Sequence, residues 1–226
     1  MKPQNLSSIF TRDKPRVVIE DRVWYVPERV ENNFTFNGFD QPEFFNNNNP
    51  IILEYCSGNG HWIVDRAQKR PDYNFLAIEK KWERIRKIWS KTKNHQLSNL
   101  IAVCGEGQYI TETFLQSATI DAVYINFPDP WPKRRHAKHR IINPLFIDEI
   151  HRILITGKQV TVTTDDKDYS DEIVELFLRS GKFTPKNKNP YYQTEYPGYG
   201  SSNFEELWRE KGKEIRYHIF IKEDLK

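Results

Sequence analysis

Hydrophobic and polar positions fall into a regular alternation only from residue 51 onward. Apolar runs IILEY (51–55), NFLAIE (74–79), LIAVC (100–104), DAVYINF (121–127) and QVTVTT (159–164) are short and separated by segments of helical length. Four successive strand–helix units of this kind predict a parallel sheet covered by helices on both faces. The intervening segments carry helical phase: Trp82, Ile85 and Trp89 recur at i, i+3, i+7, as do Ile147, Ile150 and Leu154, and Tyr169, Ile173 and Phe177 recur at i, i+4, i+8. Each set is one apolar stripe. Asn143-Pro144 predicts a helix start, with Asn as N-cap and Pro at the first helical position, and Gly157 predicts its C-cap. A polar, aromatic loop (183–206) precedes a last predicted strand, IRYHIFI (215–221).

The first fifty residues lack this order. Isolated apolar residues, as in 23–26, are mixed with charge and end in FFNNNNP (44–50), which reads as a loop because Asn competes for its own backbone and the residue before proline avoids the helix. Residues 1–49 are therefore an expected arm and linker, and residues 50–226 one expected domain. Composition adds bounds. Hydrophobic content is 38% with a mean hydropathy of −0.75, and no stretch approaches the ~20 apolar residues of a membrane span. The N-terminal stretch lacks the apolar core of a secretory signal, and two cysteines, Cys56 and Cys104, cannot build a disulfide framework. A cytoplasmic protein without membrane association is expected. Net charge is only +3, so an argument for a nucleic-acid partner must rest on local clustering.

Candidate chemistry sits at the ends of the predicted strands. After the first comes Glu54-Tyr55-Cys56-Ser57-Gly58-Asn59-Gly60, a glycine turn at the sheet edge where open α/β sheets bind ligands. The third glycine of a pyrophosphate-binding turn is missing, Ile63 standing in its place, and Glu54 beside the turn is ill suited to an anion. The second strand ends in Glu79, 21 positions after Gly58, where a carboxylate can accept both ribose hydroxyls. Glu106 follows the third strand and could accept from an adenine amine; Asp129 follows the fourth. Four carboxylates at the same end of four successive strands suit S-adenosylmethionine, which has a ribose, an amino group and a sulfonium but no phosphate.

The fourth strand runs into NFPDPWPKRRHAKHR (126–140). Pro128 and Pro130 restrict the turn that presents Asp129. Lys133, Arg134, Arg135, Lys138 and Arg140 then form a basic loop suited to a phosphate backbone. Trp131 is expected to pack beneath the turn rather than stack on a base. His136 and His139 lack further ligands at zinc spacing, so no metal is expected. Acid and base side by side imply two partners, a cationic cofactor and a polyanion.

These residues resemble the bacterial tRNA (guanine-N7-)-methyltransferase family of the TrmB type, whose signature is close to E-x-G-x-G-x-G, G-I-E and F-P-D-P-W-P-K-K-R-H-x-K-R-R. The resemblance extends from about Ile51 to the C-terminus, through TTD (163–165) and SNFEELWREKG (202–212). It departs at Cys56 for the first glycine, Glu106 for Asp and Ser202 for Thr. It implies a class I methyltransferase fold, Rossmann-like, with a mostly parallel seven-stranded sheet and an antiparallel last strand. It also implies that Glu54, Gly58, Gly60, Glu79, Glu106 and Asp129 bind S-adenosylmethionine and that Asp129 is catalytic. Lys133, Asp165, Ser202, Asn203, Phe204 and Glu205 would bind the tRNA substrate, a variable-loop guanine at position 46 being the target. Thr194-Glu195-Tyr196 mimics the last motif but lies at the wrong distance from Lys211-Gly212.

Guanine N7 carries an in-plane lone pair at neutral pH, so methyl transfer needs no prior deprotonation and positioning dominates. Asp129 would orient the guanine and stabilise the cationic ring that forms. An amino-group nucleic-acid methyltransferase is the enzymatic alternative, although the order here is Pro-Asp-Pro-Trp rather than Asn-Pro-Pro. A noncatalytic RNA-binding subunit is the other, against which Glu54, Glu79 and Asp129 argue. No obligate protein partner is evident, and monomer and homodimer are equally compatible with the sequence.

Overall fold

The computed structural model describes residues 1–10, 16–28, 34–200 and 203–224, and the side chains of Arg134 and Asn203 are outside that description. Contacts group the chain into two compact units, Met1–Leu115 and Gln116–Lys226.

In the first unit, β1 (Val18–Glu20) and β2 (Val23–Tyr25) form an antiparallel hairpin, followed by β3 (Ile51–Tyr55), α1 (His61–Lys69), β4 (Asn74–Glu79), α2 (Trp82–Asn94), β5 (Leu100–Cys104) and α3 (Gly107–Phe114). Strand order is β1-β2-β5-β4-β3, and all neighbours beyond the hairpin run parallel. Every residue of β4 and β5 is buried, as expected of strands covered on both faces. The hairpin was not foreseen. Its strands are three residues each, and its turn is Asp21-Arg22, both left-handed at φ 47° and 69°. That is primed-turn geometry without the Asn-Gly that usually announces it. Trp24 then anchors the N-terminal residues, packing against Phe36, Phe39, Phe44 and Phe114 at centroid distances of 5.2–6.4 Å.

In the second unit, β6 (Ile120–Asn126) lies parallel to β7 (Leu154–Thr164), and β9 (Arg216–Lys222) runs antiparallel between β7 and β8 (Phe183–Pro185). The helices are α4 (Pro144–Ile153), α5 (Lys167–Ser180) and α6 (Asn203–Glu210). α4 begins as predicted: Phe146 N–H donates to Asn143 Oδ1 at 3.0 Å, with Pro at the first turn. Its predicted end is corrected. The helix stops at Ile153, Leu154 already pairs with Ile120, and the next aligned pair is Ala122 with Gln159. Residues 155–158 are thus extra chain in one strand, a bulge in which Gly157 takes φ +78°. The described residues carry nine strands rather than seven, since the hairpin β1–β2 was read as linker; the antiparallel last strand is present as β9.

His218, on β9, is fully buried, its Nδ1 at 3.0 Å from the Tyr191 carbonyl and its Nε2 at 2.9 Å from Ser170 Oγ. Burial lowers its pKa from 6.5 to about 4, the Tyr191 bond opposing; His151 is lowered in the same direction by burial. A neutral buried imidazole stabilises the fold fully above pH 6.5 and progressively less as pH falls toward 4. His218 should account for about 3 kcal/mol of stability lost across that window. Urea unfolding at pH 7 and pH 4 checks this, since His218→Gln should lose correspondingly less on acidification than the wild type.

Candidate functional site

β3 runs into a turn that is left-handed three times, at Cys56 (φ 60°), Gly58 (φ 54°) and Gly60 (φ 71°). Ser57 ties it to the sheet: its N–H donates to the Ile78 carbonyl at 3.1 Å and its Oγ to the Glu54 carbonyl at 3.0 Å. Gly60 is also sterically required, because a Cβ there would lie 2.7 Å from Ile88 Cγ1 of α2. From beneath, Lys91 Nζ donates to the Asn59 carbonyl at 2.8 Å, and burial, then Lys87, lowers its pKa to about 8. Glu54 is 2% exposed, which rules out a merely solvated surface charge.

Glu79 does more than end β4. One oxygen accepts from Gly58 N–H at 3.1 Å and from Arg84 at 3.2 Å; the other accepts from Lys81 N–H at 2.9 Å. The carboxylate therefore closes the glycine turn and starts α2, using three of about four acceptor positions. Glu106, expected at an adenine amine, caps α3 by accepting from Tyr109 N–H at 2.7 Å through Oε2. The structure gathers Glu54, Gly58, Gly60 and Glu79 around one turn, and Glu106 follows one strand away, Gly105 N–H donating to the Glu79 carbonyl at 3.2 Å.

In the second unit, the turn after β6 is left-handed at Phe127 (φ 48°) and Trp131 (φ 42°), strain costing on the order of 1 kcal/mol or more at each. Between them Asp129 is exposed, its Oδ1 accepting from Trp131 N–H at 3.0 Å, a side-chain turn that holds the carboxylate in place. Asn126 accepts from Tyr199 OH at 2.8 Å just before it. Trp131 packs against the rings of His136 and His139 at 5.7 and 5.3 Å.

Arg140 is corrected. The sequence groups it with the cations facing a polyanion, yet it donates to the Pro130 carbonyl at 2.7 Å, pairs with Glu172 and lies 5.0 Å over the Tyr169 ring. It staples the turn to α5. Lys133, Arg135 and Lys138 are exposed, and residues 134–139 form a short 3₁₀ helix rather than an open loop.

The remaining expected substrate residues differ among themselves. Asp165 pairs with Lys213 at 2.6 Å. Ser202 lies outside the described residues, and Asn203 opens α6. Phe204 is 45% exposed with its ring 6.1 Å from Phe127. Glu205, 8% exposed, accepts from Tyr217 OH at 2.6 Å and from Arg209 Nε at 3.2 Å; burial first, then this bond, raises the Tyr217 pKa. Arg209 also donates to the Thr194 carbonyl at 2.9 Å and pairs with Glu195 at 3.3 Å, so the segment that only mimics the last motif is bound to the helix that carries it. The structural roles of Arg140, Arg209 and Tyr217 escape the sequence because, the i,i+4 pair of Arg209 with Glu205 aside, they rest on partners such as Glu172, Thr194 and Glu205 at 32, 15 and 12 positions, for which there is no spacing rule. The left-handed turn of β3 gives a direct check: Cys56→Gly should stabilise the protein by about 1 kcal/mol, and Gly60→Ala should destabilise it by at least as much, both read from urea unfolding midpoints.

Residues 48–217 match a protein family described as "Putative methyltransferase". A tRNA (guanine-N(7)-)-methyltransferase of Chlamydia abortus is 43% identical over 225 residues, 98% of each chain, and one of Rubrobacter xylanophilus is 29% identical over 178 residues, 79% of each. Among solved structures, the 16S rRNA methyltransferase KamB superposes with a TM-score of 0.60 at 13% identity, covering 86% of this chain and 97% of that one. This likeness shows the class I methyltransferase fold. By its sequence relatives and the residues of its turns, the chain belongs to the tRNA (guanine-N7-)-methyltransferase family.

Proposed function

We propose that this chain transfers a methyl group from S-adenosylmethionine to N7 of guanine 46 in the tRNA variable loop, forming 7-methylguanosine. The observation that carries the reading is the Asp129 turn: an exposed carboxylate locked by Trp131 N–H between two left-handed residues, followed directly by Pro-Trp-Pro (130–132) and then by exposed Lys133. Strain kept at one acid argues for a working group.

The residues present fit the donor. Its adenosine and sulfonium need acceptors and close backbone approach, and the β3 turn offers glycines at 58 and 60 with carboxylates at 54, 79 and 106. Glu79 keeps about one acceptor position for a ribose hydroxyl, and Glu106 keeps Oε1 for an amine. When bound, S-adenosylmethionine supplies an electrophilic sulfonium methyl. Asp129 orients the guanine, whose N7 needs no base, and its charge stabilises the cation that develops in the ring. Lys133 holds tRNA phosphate. Phe204 meets the substrate directly, while Asp165 and Glu205 act by fixing Lys213 and α6. Ser202 and Asn203 complete the substrate set.

In this reading residues 50–226 are the methyltransferase domain and residues 1–49 an arm that adds two strands to it, working in the cytoplasm on tRNA as monomer or homodimer. Among the described residues no helix is long and apolar enough to cross a membrane.

Nucleoside mass spectrometry of tRNA incubated with the protein and labelled donor should yield 7-methylguanosine; methylation on an exocyclic amine, or none, would reject the assignment. Asp129→Asn should lower turnover about a hundredfold or more with tRNA affinity retained, and full turnover would remove Asp129 from the chemistry. Lys133→Ala should weaken tRNA binding for all sequences alike and reduce the salt slope of log K by about one, as titration at several salt concentrations would reveal.

A further inference from the structure

The hairpin β1–β2 carries the N-terminal residues to the ligand edge of the first unit. Tyr25 is in register with Cys104 of β5, and Cys104 with Glu79 of β4, so the backbone of Tyr25 stands level with that of Glu79 about 10 Å away, two strand spacings. Beyond Tyr25 the chain continues across that edge. Val26 N–H donates to the Cys104 carbonyl at 2.8 Å, and the Val26 carbonyl lies so close to Gly105 that a Cβ there would meet it at 2.7 Å. Glu28 then reaches Lys80, next to Glu79, at 3.3 Å. This exposed ion pair is worth little energy, but it shows where the segment runs: past Glu106 on one side and to Glu79 on the other.

The first ten residues reach the same place by another path. Ser90 Oγ and Asn94 Nδ2 donate to the Met1 carbonyl at 2.6 and 3.0 Å, holding the N-terminus along α2. Phe10 then lies face to face with Tyr25, centroids 3.6 Å apart and planes 3° from parallel, and edge-on to Trp82 at 5.0 Å. Trp82 opens α2, three residues after Glu79. All three residues are half-buried, so this cluster, at the edge where β4 ends in Glu79, keeps accessible surface rather than filling the core. A purine is the flat apolar group such a surface takes, and neither the strand–helix pattern nor the family motifs account for Phe10 and Tyr25.

We propose that the N-terminal segment builds the purine-side wall of the donor site, with Phe10, Tyr25 and Trp82 as its surface. This rests on the donor assignment made above, and Phe10 and Tyr25 would be parts of the site supplied by residues outside the matched family region, set against Trp82 within it.

Calorimetric titration of the full chain with S-adenosylmethionine and with 5′-methylthioadenosine, which keeps the purine and ribose but lacks the amino-acid part, tests it. Phe10→Ala should weaken both ligands by about tenfold, the size of one lost aromatic–base stack, with the protein still folded at the titration temperature, and Phe10→Trp should restore both. Unchanged methylthioadenosine affinity in Phe10→Ala would overturn the wall, as would an equal loss in Phe10→Trp. Glu79→Gln separates the two levels of the argument. If it alone weakens binding, the wall is wrong and the donor site stands; if both it and Phe10→Ala bind like wild type, the donor assignment is itself wrong.

Discussion

The hydrogen bond from the Gly58 amide to the Glu79 carboxylate is the constraint on which the first unit's edge depends. A turn left-handed at residues 56, 58 and 60 is unfavourable for any L-residue and entropically costly for glycine, so it persists only if its amides find acceptors. Glu79 supplies one, from a strand hydrogen-bonded in register to β3, and through Lys81 and Arg84 it binds the same carboxylate to α2. One side chain therefore sets turn, strand end and helix start relative to one another. A group so fixed is preorganised for a ligand, which spares the ordering cost that binding would otherwise incur.

The second unit solves a like problem with opposite charge. Phe127 and Trp131 hold positive φ around Asp129, and the strain is balanced by Phe127 N–H donating to the Thr163 carbonyl, by the Asp129–Trp131 bond and by Arg140 reaching the Pro130 carbonyl. Arg140 is itself neutralised by Glu172 and stacked on Tyr169. Likewise Glu205 is buried with Tyr217 and Arg209 both donating to its Oε1. In both places a charge that looks free in the sequence is spent on shape, while others, Asp129 and Lys133 among them, stay exposed.

Much of this was legible. The strands from 51 onward, the stripe Tyr169, Ile173, Phe177 and the Asn143 cap follow from periodicity and local hydrogen bonding, which act over a few residues. Glu54, Glu79 and Glu106 were legible as strand-end carboxylates of the first unit because strand–helix alternation puts the ends of its parallel strands at one edge. Illegible were the short hairpin β1–β2, whose three-residue strands offer no period to detect, and the bulge around Gly157, since a glycine after an apolar helix reads equally as a cap. Position 56 was visible as a departure from the family pattern, but only its φ of 60° turns that departure into backbone strain.

By itself, then, the sequence determined the strands and helices with clear periodicity between residues 51 and 180, the last strand, the family the chain belongs to and the acids and bases it carries, because these depend on local spacing and residue type. Tertiary structure alone decided which of those charges are consumed internally, as with Arg140, Asp165 and Glu205, and that the N-terminal residues share an edge with Glu79 and Glu106. The physical reason is the same in each case: burial and pairing are settled between side chains brought together by packing across tens of residues, and no local pattern encodes that.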